Sequence, residues 1–118
     1  MGNPVIHWEI GASDAGRLGA FYSELFDWQI TPAGPEYFLV AGGEGGIGGG
    51  ILQVDEHVPS YLTFYVQVDE LEQTMHLAVD LGASELVSPM VIPGVGRFAM
   101  LADPEGHTIG LLEPPLEA

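Results

Sequence analysis

Displaced by 56 residues, the second half of this chain overlies the first: Ile10 meets Val66, Leu25 meets Leu81, and two helix-like stretches coincide. A repeat of about half the chain implies two similar modules, neither able to bury both faces of a sheet by itself. In the first copy, "PVIHWEI" at 4–10 alternates and is rich in β-formers, which predicts a strand. Ser13 or Asp14 caps a helix whose apolar face is Leu18, Phe21, Tyr22 and Leu25, and which stops near Phe26. "WQI" resumes extended structure, "AGPE" turns, and "YFLVA" is a further strand. "GGEGGIGGGILQV" lacks the Gly-Lys-Ser/Thr ending and helix start of a phosphate loop. It reads instead as a turn and a glycine-rich strand, where backbone must approach closely.

The second copy runs in the same order. "YLTFYVQV" at 61–68 is a strand, and Asp69 with Glu72 forms an aspartate version of a capping box. Leu71, Met75, Ala78 and Leu81 supply the helix's apolar face, and Gly82 closes it. "SELV" is a short strand, "MVIPGVG" a loop, "RFAMLA" a strand, "DPEG" a turn and "HTIGLLE" the last strand. The expected fold is α+β: one domain over 1–118, built of two βαβββ modules (1–56 and 57–118). Their curved mixed sheets surround a ligand cleft, with the helices on the outer face.

Composition limits the partners. Two basic residues against 17 acidic ones give a net charge of −15. Nucleic acid and anionic membranes are poor partners, because binding them rests on Lys and Arg. Cations and cationic small molecules are attracted. Hydrophobic content of 47% argues for a folded chain, and the absence of cysteine removes disulfides, thiolate metal sites and a cysteine nucleophile. No apolar run approaches the roughly 18 residues of a membrane span and no signal pattern opens the chain, so a cytoplasmic protein is expected.

Alternation places His7 and Glu9 on one face of the first strand and Ile6, Trp8 and Ile10 on the other, which takes the helix. By the same logic Tyr61, Thr63, Tyr65 and Gln67, and then Thr108, Gly110 and Leu112, face the cleft. His7 and Glu9 stand roughly 6.6 Å apart along the strand, too far for a direct bond but close enough to meet one small ligand. They line a pocket or act as acid and base. Tyr61 and Tyr65, with Phe38 and Trp8, are core residues or favour a flat, aromatic or cationic ligand. Glu113 falls on the other face. His57, His76 and His107 show no metal-ligand spacing. Arg17 sits on the outer face of its helix and Arg97 at a cleft rim.

The order of elements, with "VIHWEI", "AFYSELFDW", "GGIGGGI" and "IPGVGRFAMLADPEGHTIGLLEP", resembles the vicinal oxygen chelate superfamily of glyoxalase I, bleomycin-resistance proteins and extradiol dioxygenases, and among these its small glyoxalase-related members. The resemblance implies four metal-ligand positions: His7 on the first strand, a place near Gly49 to Ile51, Thr63, and Gly110. Only His7 is a donor suited to a divalent ion, and a stable site needs three or four. The expectation is therefore no metal or other cofactor (His7 would be the ligand if one were present). Glutathione and acyl-CoA substrates are anionic, so a glutathione-dependent glyoxalase I or a methylmalonyl-CoA epimerase is disfavoured. The resemblance implies a homodimer and a small-molecule ligand. It leaves two readings open: a metal-free binder of a neutral or cationic, partly aromatic ligand, or a lyase or isomerase using His7 and Glu9 or an unorthodox metal site.

Overall fold

A computed structural model of the protein describes residues 2–93 and 95–115. Contacts divide the chain into two compact units: Ile6–Thr63, and Phe64–Ala118 together with the first five residues. In chain order the elements are β1 (Val5–Ala12), α1 (Ala15–Phe26), β2 (Ile30–Pro32), β3 (Tyr37–Val40), β4 (Gly49–Gln53), β5 (Tyr61–Gln67), α2 (Leu71–Asp80), β6 (Ser84–Ile92), β7 (Gly96–Ala102) and β8 (Thr108–Glu113). The fold is α+β, and strand, helix and three strands do occur twice.

In the first unit the strand order is β2-β3-β4-β1, with β1 and β4 parallel and the other pairs antiparallel. The second unit repeats it as β6-β7-β8-β5, with β5 and β8 parallel. The register is equivalent too: Glu9 lies opposite Gly50, and Tyr65, which is 56 residues later, lies opposite Gly110.

Each helix covers one face of its own sheet. Trp8 and Ile10 from β1 join Leu18 and Tyr22 from α1 around Ala12, Ala15, Val40 and Ile51. Phe38 packs there as well, so Trp8 and Phe38 are core residues. Leu71 and Met75 of α2 pack with Val68, Ala99, Leu101 and Leu111. Ile51 and Leu71 are fully buried, and each contributes about 1.5–3 kcal/mol relative to exposure. The predicted helix faces are too wide. Phe21 (55% exposed), Leu25 (57%) and Leu81 (71%) remain in solvent, while the small residues Ala15 and Gly19 let α1 approach its sheet.

Helix ends follow two different rules. Asp14 caps α1 as expected, its side chain accepting from the Arg17 backbone N–H. The Asp69/Glu72 capping box does not form: the N-cap is Glu70, with no side-chain cap bond. Glu113, from the far end of β8, accepts the Leu71 N–H at 2.8 Å instead. Glu72 turns to Arg97, which holds it through two hydrogen bonds of 2.6 and 2.8 Å and also grips Glu113. Arg97 is thus a clamp between α2 and β8, and it also lines a groove beside Val91, Ile92 and Glu113. At the other end of α2, Gly82 takes φ 108, a left-handed conformation suited to glycine.

The strand read as "SELV" extends to Ile92, taking in Met90, Val91 and Ile92 of the expected loop. Two register shifts, between Glu85 and Val87 and between Val87 and Met90, blur the alternation that would have marked it.

Candidate functional site

Four side chains of the first unit meet on the sheet face away from α1. His7 and Glu9 project from β1, Tyr37 from the start of β3, and Tyr61 from the start of β5. His7 Nε2 lies 2.9 Å from the Tyr37 hydroxyl. That hydroxyl donates to Glu9 Oε1 at 3.3 Å, and Tyr61 donates to Oε2 at 2.7 Å. Glu9 is 8% exposed, and the two phenols supply part of what a buried carboxylate needs. Tyr37 spans the gap that the strand spacing leaves between His7 and Glu9.

Tyr37 is the site residue that sequence reasoning missed. Alternation within "YFLV" already separates Tyr37 and Leu39 from the core residues Phe38 and Val40. The further signal is Gly50: a Cβ there would overlap the Tyr37 hydroxyl. The neighbouring Gly49 does the same for Trp8 on the other face, and Gly11 seats the Tyr61 ring. The glycine run is a surface on which aromatic rings lie, as the close-approach reading of "GGG" requires.

Burial lowers the His7 pKa below its ordinary value, partly offset by the nearby Glu9 carboxylate, so the neutral imidazole is favoured. Both phenols are raised, first by burial and then by Glu9. They serve as donors rather than phenolates near neutral pH.

The other expected site residues lie as follows. Thr63 is buried on β5 at 4% exposure. Tyr65, in the second unit, lies over Gly110, where a Cβ would overlap its ring. Thr108 begins β8 opposite Ala102. Gln67 is opposite Leu112, and its backbone binds Asn3 and Pro4. Glu113 faces α2, as its alternation predicted. His57 and His76 are exposed, and exposed His107 sits on Asp103, whose carboxyl is lowered chiefly by the His107 backbone N–H. Among the described residues no three His, Asp or Glu side chains are grouped to hold a metal ion.

A groove of about 670 Å³ adjoins the cluster rather than enclosing it. Ile10, Leu18, Phe21 and Leu62 form its apolar walls, Arg17 lies at its side, and Tyr61 is shared with the Glu9 cluster.

Residues 7–112 match the glyoxalase-like domain family. The chain belongs to this family. Membership places it in the glyoxalase/bleomycin resistance/dioxygenase superfamily that its motifs resemble. "Putative glyoxylase CFP32" of Mycobacterium tuberculosis is 34% identical over 82 residues, 70% of this chain and 31% of that protein. The chain thus spans about a third of the length of this mycobacterial relative, whereas it covers 91% of a glyoxylase-like domain-containing protein of Didymella fabae at 29% identity. A hypothetical protein BH1468 from Bacillus halodurans C-125 superposes with a TM-score of 0.77 at 14% identity, covering 100% of this chain and 99% of that one. A glyoxalase/bleomycin resistance protein/dioxygenase superfamily member from Vibrio splendidus 12B01 gives 0.67 at 12% identity, covering 97% and 100%. At such identities these structures share the fold alone. No helix among the described residues is long and apolar enough to cross a membrane.

Proposed function

We propose that this glyoxalase-like chain binds a small neutral or cationic, partly aromatic molecule at the His7–Tyr37–Glu9–Tyr61 cluster, without a resident metal. The observation that carries the reading is Glu9: a carboxylate at 8% exposure, with a phenol on each oxygen, fixes an acidic group beside the groove that Tyr61 also lines. A net charge of −15 favours the approach of cations and opposes that of anionic thioesters.

The donor set does not fit a divalent ion. Two of the four positions the resemblance implies are the stretch from Gly49 to Ile51 and Gly110; at Gly50 and Gly110 the Tyr37 hydroxyl and the Tyr65 ring fill the space a side chain would enter. Thr63 is a weak donor, and three or four good donors are needed. The reading includes a cytoplasmic setting and a homodimer, in keeping with exposed apolar residues such as Leu62 and Val91.

The second reading, a lyase or isomerase using the pair His7 and Glu9 for acid/base work, is favoured by one observation: Tyr37 joins the two by hydrogen bonds. A thermal-shift screen tests the first. Amines and aromatic amides should raise the Tm of the wild type, by about 2.7 kcal/mol of stabilisation at one hundred times Kd, and fail to raise that of Glu9→Gln. Stabilisation by anionic thioesters, or stoichiometric Zn, Mn, Ni or Fe in untagged protein, would refute it.

A further inference from the structure

The fold uses its two basic residues differently. The Arg97 guanidinium meets Glu72 and Glu113 at 2.6 to 2.8 Å. Among the described residues, nothing accepts from the Arg17 guanidinium. With 17 acidic residues in the chain, a guanidinium left without a carboxylate is an open position for an anion from outside. Arg17 stands at the side of the groove of about 670 Å³, whose lining lies wholly within the first unit. Small-ligand sites run to roughly 300–1,000 Å³. The walls from Ile10, Leu18, Phe21 and Leu62 are apolar, and Leu62 is 73% exposed. Covering them releases water, so an occupant with an apolar body is favoured. The first turn of α1 is not the seat of the anion. The Ala15 N–H goes to Gln53 Oε1 at 2.9 Å, the Arg17 N–H to Asp14 Oδ1 at 3.1 Å, and the Leu18 N–H to the Asp14 carbonyl at 3.0 Å. The donor that is left is the guanidinium, whose planar fork matches a carboxylate.

We propose that this groove is a second binding site, distinct from the Glu9 cluster, for a small monocarboxylate with a branched or aromatic body. Arg17 takes the carboxylate, and Ile10, Phe21 and Leu62 cover the body. The single charge follows from the whole chain. At −15 the protein repels an anion in proportion to that anion's charge, so polyanions are turned away while a monoanion in contact with Arg17 is held. A bare inorganic anion covers none of the apolar wall and gains nothing from it. Tyr61 stands at both sites: its hydroxyl donates to Glu9 Oε2 at 2.7 Å, and the residue also lines the groove.

The test uses phenylacetate and its neutral isostere phenylacetamide, titrated into 15N-labelled protein and followed by proton–nitrogen NMR spectra. Phenylacetate should move the amides of residues 10–18 and of Tyr61 and Leu62, and bind at least about threefold more tightly than phenylacetamide. In Arg17→Gln, a change at an exposed position, that ratio should fall to about one. Leu62→Ser should weaken both probes alike, because it removes wall and leaves the cation. Phenylacetamide or benzylamine binding the groove as tightly as phenylacetate would overturn the proposal. So would a ratio unchanged in Arg17→Gln, shifts confined to other residues, or affinities that Leu62→Ser leaves untouched. If the same amides move with protein concentration in the absence of any probe, the face belongs to a second copy of the chain and the carboxylate site is refuted.

Discussion

Gly110 is a seat for the Tyr65 ring. Gly110→Ala puts a methyl group into that ring, and the backbone on which it stands is paired to β5 and β7, so the ring has to move. Overpacking of this kind costs about 1–3 kcal/mol. In urea unfolding, Gly110→Ala combined with Tyr65→Ala should be more stable than the sum of the single changes by about 1 kcal/mol or more. Strict additivity would mean that ring and glycine do not oppose each other. The same contrast explains what the sequence revealed of the site. His7 and Glu9 share a face because strand alternation is local. Their link through Tyr37 depends on register across β1, β4 and β3, where Glu9 faces Gly50 and Gly50 faces Leu39. No local pattern carries that register; the bare positions of β4 were its only trace.

At the scale of elements, α2 shows how a local signal is displaced by a distant one. Asp69 and Glu72 have the spacing of a capping box, but Arg97 offers Glu72 a forked partner and Glu113 reaches the Leu71 N–H. A guanidinium grip on two carboxylates outcompetes a neutral backbone donor. The distant partners were invisible along the chain, as was β6 beyond Val87, whose register shifts break the alternation. Glu113→Ala should cost about 1–2 kcal/mol through the lost cap, seen as faster amide exchange in the first turn of α2. The Arg97 hydrogen bonds hold the Glu72 pKa down to about 2, against an ordinary 4.5. A carboxyl lowered on folding adds stability above its unfolded pKa and loses it as pH falls. The Glu72 contribution is thus complete above pH 4.5 and disappears toward pH 2. Arg97→Leu should flatten the denaturation midpoint between those limits; an unaltered acid limb would show that the clamp is not what Glu72 titrates against.

At the scale of the whole chain, the twofold order of elements was legible because each copy has its own periodicities and stops, and the structure repeats the strand order and register. The charge was legible too, and it acts on all of these elements together. With 17 acidic residues and two basic ones, the described ion pairs of Arg97 are small against the repulsion among carboxylates. The exposed Arg97–Glu72 pair contributes at most about 1 kcal/mol. Raising monovalent salt shortens the screening length from about 30 Å at 0.01 M to about 8 Å at 0.15 M. That removes carboxylate–carboxylate repulsion over distances the size of the sheet while weakening Arg97 only at contact range. The Tm should therefore rise with potassium chloride, and a gain on the order of 1 kcal/mol would appear as roughly 4 °C in a chain this size. Arg97→Leu should steepen the rise, because the variant has more repulsion to screen and no clamp to lose. A Tm that falls with salt in the wild type but rises in Arg97→Leu would invert the ranking, making the local clamp stronger than the field of the whole chain.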